Sequence, residues 1–386
     1  MPLLTAPDNA AQLRIAMVAP PYFTVPPDGY GGVENVVAGL VDGLVERGHH
    51  VTLLGAGHHG TRAQRFVQTW DELPTELLGQ ALPEAVNAAR ISSLVGSGAD
   101  FDLVHDHTLT GPLLAAGRQV PTVVTVHGPM VDLADLYRPL GRAVGLVAIS
   151  EAQRRSAPDL NWVGTVHNGI DVASFPFRRR KDDYVLFLGR YHPTKGPHLA
   201  IDAARAAGVR ILLAGKCAEP AEQEYYDAEV APRLGPDVVE VGVADGEEKR
   251  RLLAGARCLV FPIRWDEPFG MVLVEAMACG TPVVALRYGS VPEVVEHGRT
   301  GVVVDDPEEL AGAIHGASDL DPEACRRSAE TRFSIQAMTA GYEQVFRRVA
   351  GTPVGGVAGS GSTAVVTPPA GAAPVLMARR SSRTSP

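Results

Sequence analysis

The sequence predicts an α/β protein made of two doubly wound, Rossmann-like parallel sheets that face a central cleft. Three observations predict it. Short apolar runs alternate with helical patterns along most of the 386 residues. The rhythm breaks and restarts around residues 174–183, where FPFRRRKDD inserts proline and a charge run that reads as a surface linker. Residues suited to binding a ligand cluster at the carboxyl ends of the runs, which is where open parallel sheets bind.

The first series of strands falls at 14–19, 50–54, 103–105, 122–126, 146–149 and 165–167. After the first of them Val33, Val36, Val37, Leu40, Val41, Leu44 and Val45 recur at helical spacing, and Gly48 closes that helix. The second series falls at 184–188, 210–214, 238–241, 258–261, 282–285 and 301–304, with helices filling the intervals. This divides the chain into an N-terminal domain at 1–175, a C-terminal domain at 176–333 and a helix at 334–350. Met338, Tyr342, Val345, Phe346 and Val349 share one face of that helix. The tail at 351–386, rich in Gly, Ala, Pro, Ser and Thr, is predicted to be disordered.

Composition narrows the function classes. At 45% hydrophobic and 20% charged the chain reads as an ordinary globular protein. Its net charge of −9 argues against non-specific nucleic-acid binding, which requires a basic surface. Residues 1–175 hold ten arginines, no lysine and seventeen acidic residues, so this half does not suit an anionic lipid surface. Cys217, Cys258, Cys279 and Cys325 share no C-x-x-C spacing and read as reduced thiols. No apolar run approaches the length of a transmembrane segment and the polar TAPDNAAQ start is not a signal peptide, so a soluble, cytoplasmic protein is expected.

The most informative segment is EPFGMVLVE, from Glu267 to Glu275. It follows the buried run RCLVFPI, so Phe269, Gly270 and Met271 open a helix whose free N–H groups suit a phosphate. Glu275 lies inside the apolar helix and needs a partner for its charge, such as sugar hydroxyls; Glu267 stays on the approaching loop. In the loop after the first strand, Gly31 and Gly32 precede a helix, and they either present amides to a phosphate or merely make a turn. Arg190 and Lys195 share the loop after the strand at 184–188, where they serve a diphosphate or stand as solvated charges. His127 ends the TVVTV strand, as a hydrogen-bond donor to a sugar or phosphate oxygen or as a structural histidine. His105 and His107 form an H-x-H pair without a third ligand at matching spacing, so no metal site is expected.

Three strings are set aside. Gly55-x-Gly57-x-x-Gly60 fits a dinucleotide fingerprint, but no apolar helix follows it. Asp100-Phe101-Asp102 resembles a metal-binding D-x-D but sits at the amino end of its strand, the wrong end for a ligand. Asp319-Leu320-Asp321 reads as a turn between helices.

Taken together, these residues resemble the large retaining glycosyltransferase family of the GT-B fold, family GT4 and its relatives, which includes bacterial phosphatidylinositol mannosyltransferases and sucrose and glycogen synthases. The likeness spans about residues 14–350. Gly31-Gly32, His127, the Asn168-Gly169-Ile170-Asp171 turn, Gly189-Arg190 with Lys195-Gly196, and above all Glu267 through Glu275 carry it. The resemblance implies an enzyme that moves a hexosyl unit from a nucleoside diphosphate sugar (UDP- or GDP-linked) to an acceptor hydroxyl, with retention and without a metal or other cofactor. Arg190 and Lys195 would neutralise the diphosphate, and backbone groups of Gly32, Phe269, Gly270 and Met271 would contact phosphates or sugar. Glu275 would bind the ribose, Glu267 the transferred sugar, and His127 would line the sugar and acceptor site. The N-terminal domain would be the acceptor side, the C-terminal domain the donor side, and the last helix would cross back to the N-terminal domain.

His167 stands where the family usually has proline before the Asn-Gly turn. Acceptor choice is assigned to residues 56–100 and 128–142. Asp245 either touches the donor base or caps the EEKRRLL helix. The rival readings are a sugar-nucleotide epimerase or hydrolase on the same scaffold, a non-catalytic nucleotide-sugar-binding protein and, more distantly, a dehydrogenase.

Overall fold

The computed structural model describes residues 12–29, 31–96 and 100–351. Strands β1 (Arg14–Val18), β2 (His50–Ala56), β3 (Arg65–Trp70), β4 (Leu103–Asp106), β5 (Thr122–Val126), β6 (Gly145–Ala148) and β7 (Trp162–Thr165) form one sheet in the order β3-β2-β1-β4-β5-β6-β7. Strands β8 (Val185–Leu188), β9 (Ile211–Ala214), β10 (Val238–Gly242), β11 (Leu259–Phe261), β12 (Val283–Leu286) and β13 (Gly301–Val304) form a second, ordered β10-β9-β8-β11-β12-β13. All the pairings between these strands are parallel. The central strands are legible because helices cover both faces: β5 and β12 are buried at every residue and read as nearly continuous apolar runs, whereas β4, equally buried, ends in the polar His105 and Asp106.

The edges are where the sequence reading fails. Strand β3 was not expected; RFVQTW mixes polar and apolar residues, is half-exposed on the sheet margin and has no crossover helix before it. Strand β7 lies at Trp162–Thr165 rather than 165–167, because this other edge is half-buried throughout and lacks a clean period. The linker charges also need correcting. Lys181 is tucked inward, donating to the carbonyls of Ala254 and Cys279 and to Thr281 Oγ1, and burial lowers its pKa to about 8.

The discarded strings have structural uses. Gly55 lies in β2 and the residues after it lead into β3, so no helix start receives a phosphate there. Asp102 accepts from the Arg14 amide at 2.7 Å and from its guanidinium at 3.0 Å, tying the amino ends of β1 and β4. Asp321 caps the helix Pro322–Arg332 through the Glu323 amide. Asp245 occupies the N-cap position of the helix Gly246–Gly255, without a side-chain cap bond. Of the tail predicted to be disordered, only Gly351 falls within the described residues; the polar start lies outside them up to position 11.

The helix Ile335–Ala350 starts at the N-cap Ser334 and returns to the first sheet, where Met338, Tyr342, Val345 and Phe346 join the core around β1, β2 and the helix Gly32–Glu46. Glu343 fastens the contact, meeting Arg47, His49 and Arg347. The Asn-Gly turn holds the start of the same helix: Ile170 N–H donates to Phe333 O and receives Ile335 N–H in return. A Cβ on Gly169 would sit 2.6 Å from Ser334 O. Among the described residues no helix is long and apolar enough to cross a membrane.

Because Phe346 is fully buried in the contact between the returning helix and the first sheet, Phe346→Ala is expected to cost about 3–5 kcal/mol. Val349→Ala, at the half-exposed rim, should cost about 1 kcal/mol or less. Urea unfolding followed by circular dichroism checks both.

Candidate functional site

Strand order reverses once in each sheet, between β1 and β4 and between β8 and β11. Loops leaving neighbouring strands in opposite directions open a crevice at each reversal. The helix start after β1 carries Gly32, and the segments after β4 and β5 carry His107 and His127. The loop after β8 carries Arg190 and Lys195, and the loop after β11 carries Glu267 and the helix Met271–Ala278. Met271 packs against the cores of both halves, and Ile149, just past β6, lies in the same cluster as Phe269 and Val294. The carboxyl ends of the two sheets therefore meet at this helix start.

On the second sheet the two loops interlock. Arg264 N–H donates to Thr194 O at 2.7 Å, and Gly196 takes a left-handed φ of 69° where a Cβ would meet the Pro262 carbonyl oxygen at 2.5 Å. That closeness sets Lys195 Nζ 2.7 Å from Glu267 Oε2 and over the Trp265 ring at 5.0 Å. The Glu267 turn is braced from β12's side: Ser290 donates its amide to Glu267 O and its hydroxyl to Phe269 O. Gly270, at φ 76°, is the left-handed N-cap of the helix Met271–Ala278. Among the described residues the amides of Phe269, Gly270 and Met271 have no acceptor. The Phe269 side chain points away into the core, beside His167 and Phe333, so only its backbone is available.

Each predicted charge has a protein partner. Glu275 Oε1 holds Lys249 Nζ at 2.7 Å. Arg190 gives Nε to Glu222 at 2.5 Å and Nη2 to Glu219 at 2.7 Å; Glu222 is fully buried and also takes the Ala218 amide. Lys195, Glu267 and the helix start are thus brought together directly, Glu275 lies in the second turn of that helix, and Arg190 is turned toward the helix Pro220–Tyr225. His167, the departure from the family pattern, bonds Glu293 at 2.6 Å, and Glu293 also accepts from the amides of Glu151 and Ala152. Burial would raise that carboxyl's pKa, but His167 and the two amides outweigh it and hold it low.

On the first sheet, His127 Nε2 lies 2.9 Å from His107 Nδ1. His105 packs tilted against His107 with ring centroids 4.1 Å apart and bonds Thr125 Oγ1, which meets the Tyr342 hydroxyl at 2.8 Å. Burial lowers all three imidazoles, His105 to about 3, His127 to about 4 and His107 well below its usual value, so all are neutral at pH 7. The H-x-H pair is engaged by Thr125 and His127. A cavity of about 730 Å³ lined by Trp70, Leu73, Arg90 and Leu94 opens beside β3; it lies in the 56–100 stretch and holds none of the candidate residues.

Sequence reasoning passed over Lys249, Glu222 and Glu34. The first two lie far along the chain from their partners, and nothing local signals the pairing. Glu34 had a signal: a carboxylate two residues after Gly32 in the first turn of an apolar helix, the kind of misplaced charge that singled out Glu275. It is buried at 4% exposure, and its Oε2 lies 3.1 Å from where a Cβ on Gly31 would stand.

Two parallel α/β sheets, joined at their carboxyl ends with cations, carboxylates and a bare helix start between them, define a GT-B glycosyltransferase. The chain belongs to glycosyltransferase family 4: residues 30–174 match the model "Glycosyltransferase Family 4" and residues 173–332 match "Glycosyl transferases group 1". It is 31% identical over 337 residues to a phosphatidyl-myo-inositol mannosyltransferase of Mycobacterium tuberculosis, covering 78% of this chain and 85% of the relative. It is 30% identical over 328 residues to a D-inositol 3-phosphate glycosyltransferase of Mycolicibacterium smegmatis, covering 71% and 73%. Among solved structures, AviGT4, a glycosyltransferase involved in avilamycin A biosynthesis, superposes with a TM-score of 0.68 at 29% identity, over 88% of this chain and 99% of that one. HepE of Anabaena in complex with UDP and glucose shares the fold at 19% identity, with a TM-score of 0.66 over 87% and 100%.

Glu34 makes stability depend on pH in a defined direction. Burial pushes its carboxyl up to about 7 from 4.5, against the opposing pull of its own backbone N–H. Between those values the unfolded chain ionises while the folded chain stays protonated, so stability falls as pH rises and levels off above about 7. The contribution lost is on the order of 2–3 kcal/mol. Glu34→Gln should remove this slope, read as the wild-type-minus-variant difference in unfolding free energy from pH 4.5 to 8.

Proposed function

We propose that the enzyme transfers a hexosyl unit, with retention, from a nucleoside diphosphate sugar to an acceptor hydroxyl, with the donor held by the second half of the chain and the acceptor by the first. The observation that carries the reading is the convergence of Lys195, Glu267 and the unoccupied amides of Phe269, Gly270 and Met271 at one strand-order reversal. A cation beside a helix N-terminus suits a diphosphate, and both face charge that grows as the leaving group departs. The family membership and the mannosyltransferase relatives support a hexosyl donor.

In the absence of donor the ion pairs keep the site's charges satisfied. Donor binding exchanges partners: Lys195 turns from Glu267 to the diphosphate, freeing Glu267 for a sugar hydroxyl, and Glu275 turns from Lys249 to the ribose. Arg190, anchored by two carboxylates, offers the diphosphate its remaining nitrogen. The Gly32 amide approaches the donor from the other half, and His127 donates to a sugar oxygen. The bond between the anomeric carbon and the phosphate oxygen then breaks, its electron pair staying on the diphosphate. The acceptor oxygen bonds to the same face of that carbon, and its proton passes to the departing phosphate oxygen. No protein nucleophile takes part, so catalysis is positioning and charge stabilisation. No step is assigned to a metal, and the free thiols of all four cysteines suit a reducing compartment such as the cytoplasm.

Release of nucleoside diphosphate from UDP-, GDP- and ADP-linked sugars, with and without acceptor alcohols, tests the reading. Transfer product should form with one donor class, whereas release without transfer would favour the hydrolase and binding without release the non-catalytic protein. Lys195→Ala and Glu275→Ala are each expected to lower turnover roughly a hundredfold or more. Wild-type rates in either variant would refute these assignments.

A further inference from the structure

Glycosyl transfer as proposed engages His127 but gives its neighbour His107 no part. His107 lies one residue past β4, beside the strand-order reversal of the first sheet, and is 5% exposed. Its Nδ1 lies 2.9 Å from His127 Nε2, with the two rings stacked at 25°. Two ring nitrogens at that distance share one proton, and the other side of His107 decides which carries it. His107 Nε2 is buried and, among the described residues, has no partner. Were it protonated, it would be an orphaned buried N–H, the rarer and costlier kind of unmatched group. The proton therefore belongs on Nδ1, where His127 Nε2 accepts it.

We infer that His107 is a positioning residue: it donates Nδ1–H to His127 Nε2 and so holds His127 in the one tautomer that offers Nδ1–H to the cleft. His127 then serves as a neutral hydrogen-bond donor to an oxygen of the sugar or leaving group, and its Nε2 is not available as a base. The wall behind the pair keeps it in place, since His105, packed on His107, is pinned through Thr125 to Tyr342 of the returning helix. The functional meaning rests on the glycosyl-transfer reading; the tautomer does not.

Long-range 15N–1H spectra of the full chain labelled at histidine, with His127 assigned by comparison with His127→Gln, read the tautomer directly. Protonated Nδ1 and bare Nε2 at His127 are expected; protonated Nε2 would overturn the inference. Kinetics give the second readout. His107→Leu, which removes the donor, should lower kcat roughly a hundredfold while changing donor KM by about twofold or less. His107→Asn, whose amide N–H can reach the position of Nδ1–H, should recover at least about a tenth of wild-type kcat. Equal loss in both variants at matching thermal stability would overturn the positioning role. A wild-type protein that turns over no sugar nucleotide would instead defeat the transferase reading, with the spectra still deciding the tautomer.

Discussion

Each sheet of this molecule reverses its strand order once, and the site depends on that constraint. Parallel strands joined by crossover helices send every ligand-side loop to the carboxyl edge, but only where neighbouring loops run opposite ways does a crevice open. In the second sheet the reversal sets the loop after β8 against the loop after β11, and Gly196 lets the backbones approach closely enough for Lys195 to meet Glu267. In the first it places His107 beside the loop of Gly32, with His127 one strand further on. The returning helix and the bonds from Glu293 to His167 and to the amides of Glu151 and Ala152 then hold the two edges together.

Electrostatically the two halves differ in kind. The second half's side of the site is built of opposed charges, each matched by a neighbour: Lys195 by Glu267, Lys249 by Glu275, and Arg190 by Glu219 and Glu222. Such pairing avoids the cost of half-buried charge and leaves groups that can change partner when a charged, hydroxyl-rich ligand arrives. On the first half's side the three imidazoles are neutral at pH 7, uncharged through burial and linked into a hydrogen-bonded wall. On the proposed reading, an ionic donor meets the charged side and a neutral transition-state contact comes from the other.

The central strands and the two long helices at either end of the fold were legible because burial on both faces writes a continuous apolar run, and burial on one face a helical period. The margins were not: β3 and β7 are half-wet and carry no such mark. Within the site, Glu267 through Glu275 could be read because the turn, the helix start and the misplaced carboxylate are neighbours in sequence. Glu34 left the same kind of trace beside Gly32. Lys181 misled, since the charge run around it resembles a solvated linker while its own ammonium is satisfied by carbonyls from elsewhere in the chain.

Local chemistry written in the order of residues therefore determined the central elements, the helix start suited to phosphate and the kinds of side chain gathered near it. Pairing across long separations was decided only by tertiary structure: Lys249 with Glu275, Arg190 with Glu222, His107 with His127. These contacts depend on which strands become neighbours and on which nitrogen is left without a partner. Both follow from packing in three dimensions, where residues remote along the chain share a desolvated space that no local pattern can encode.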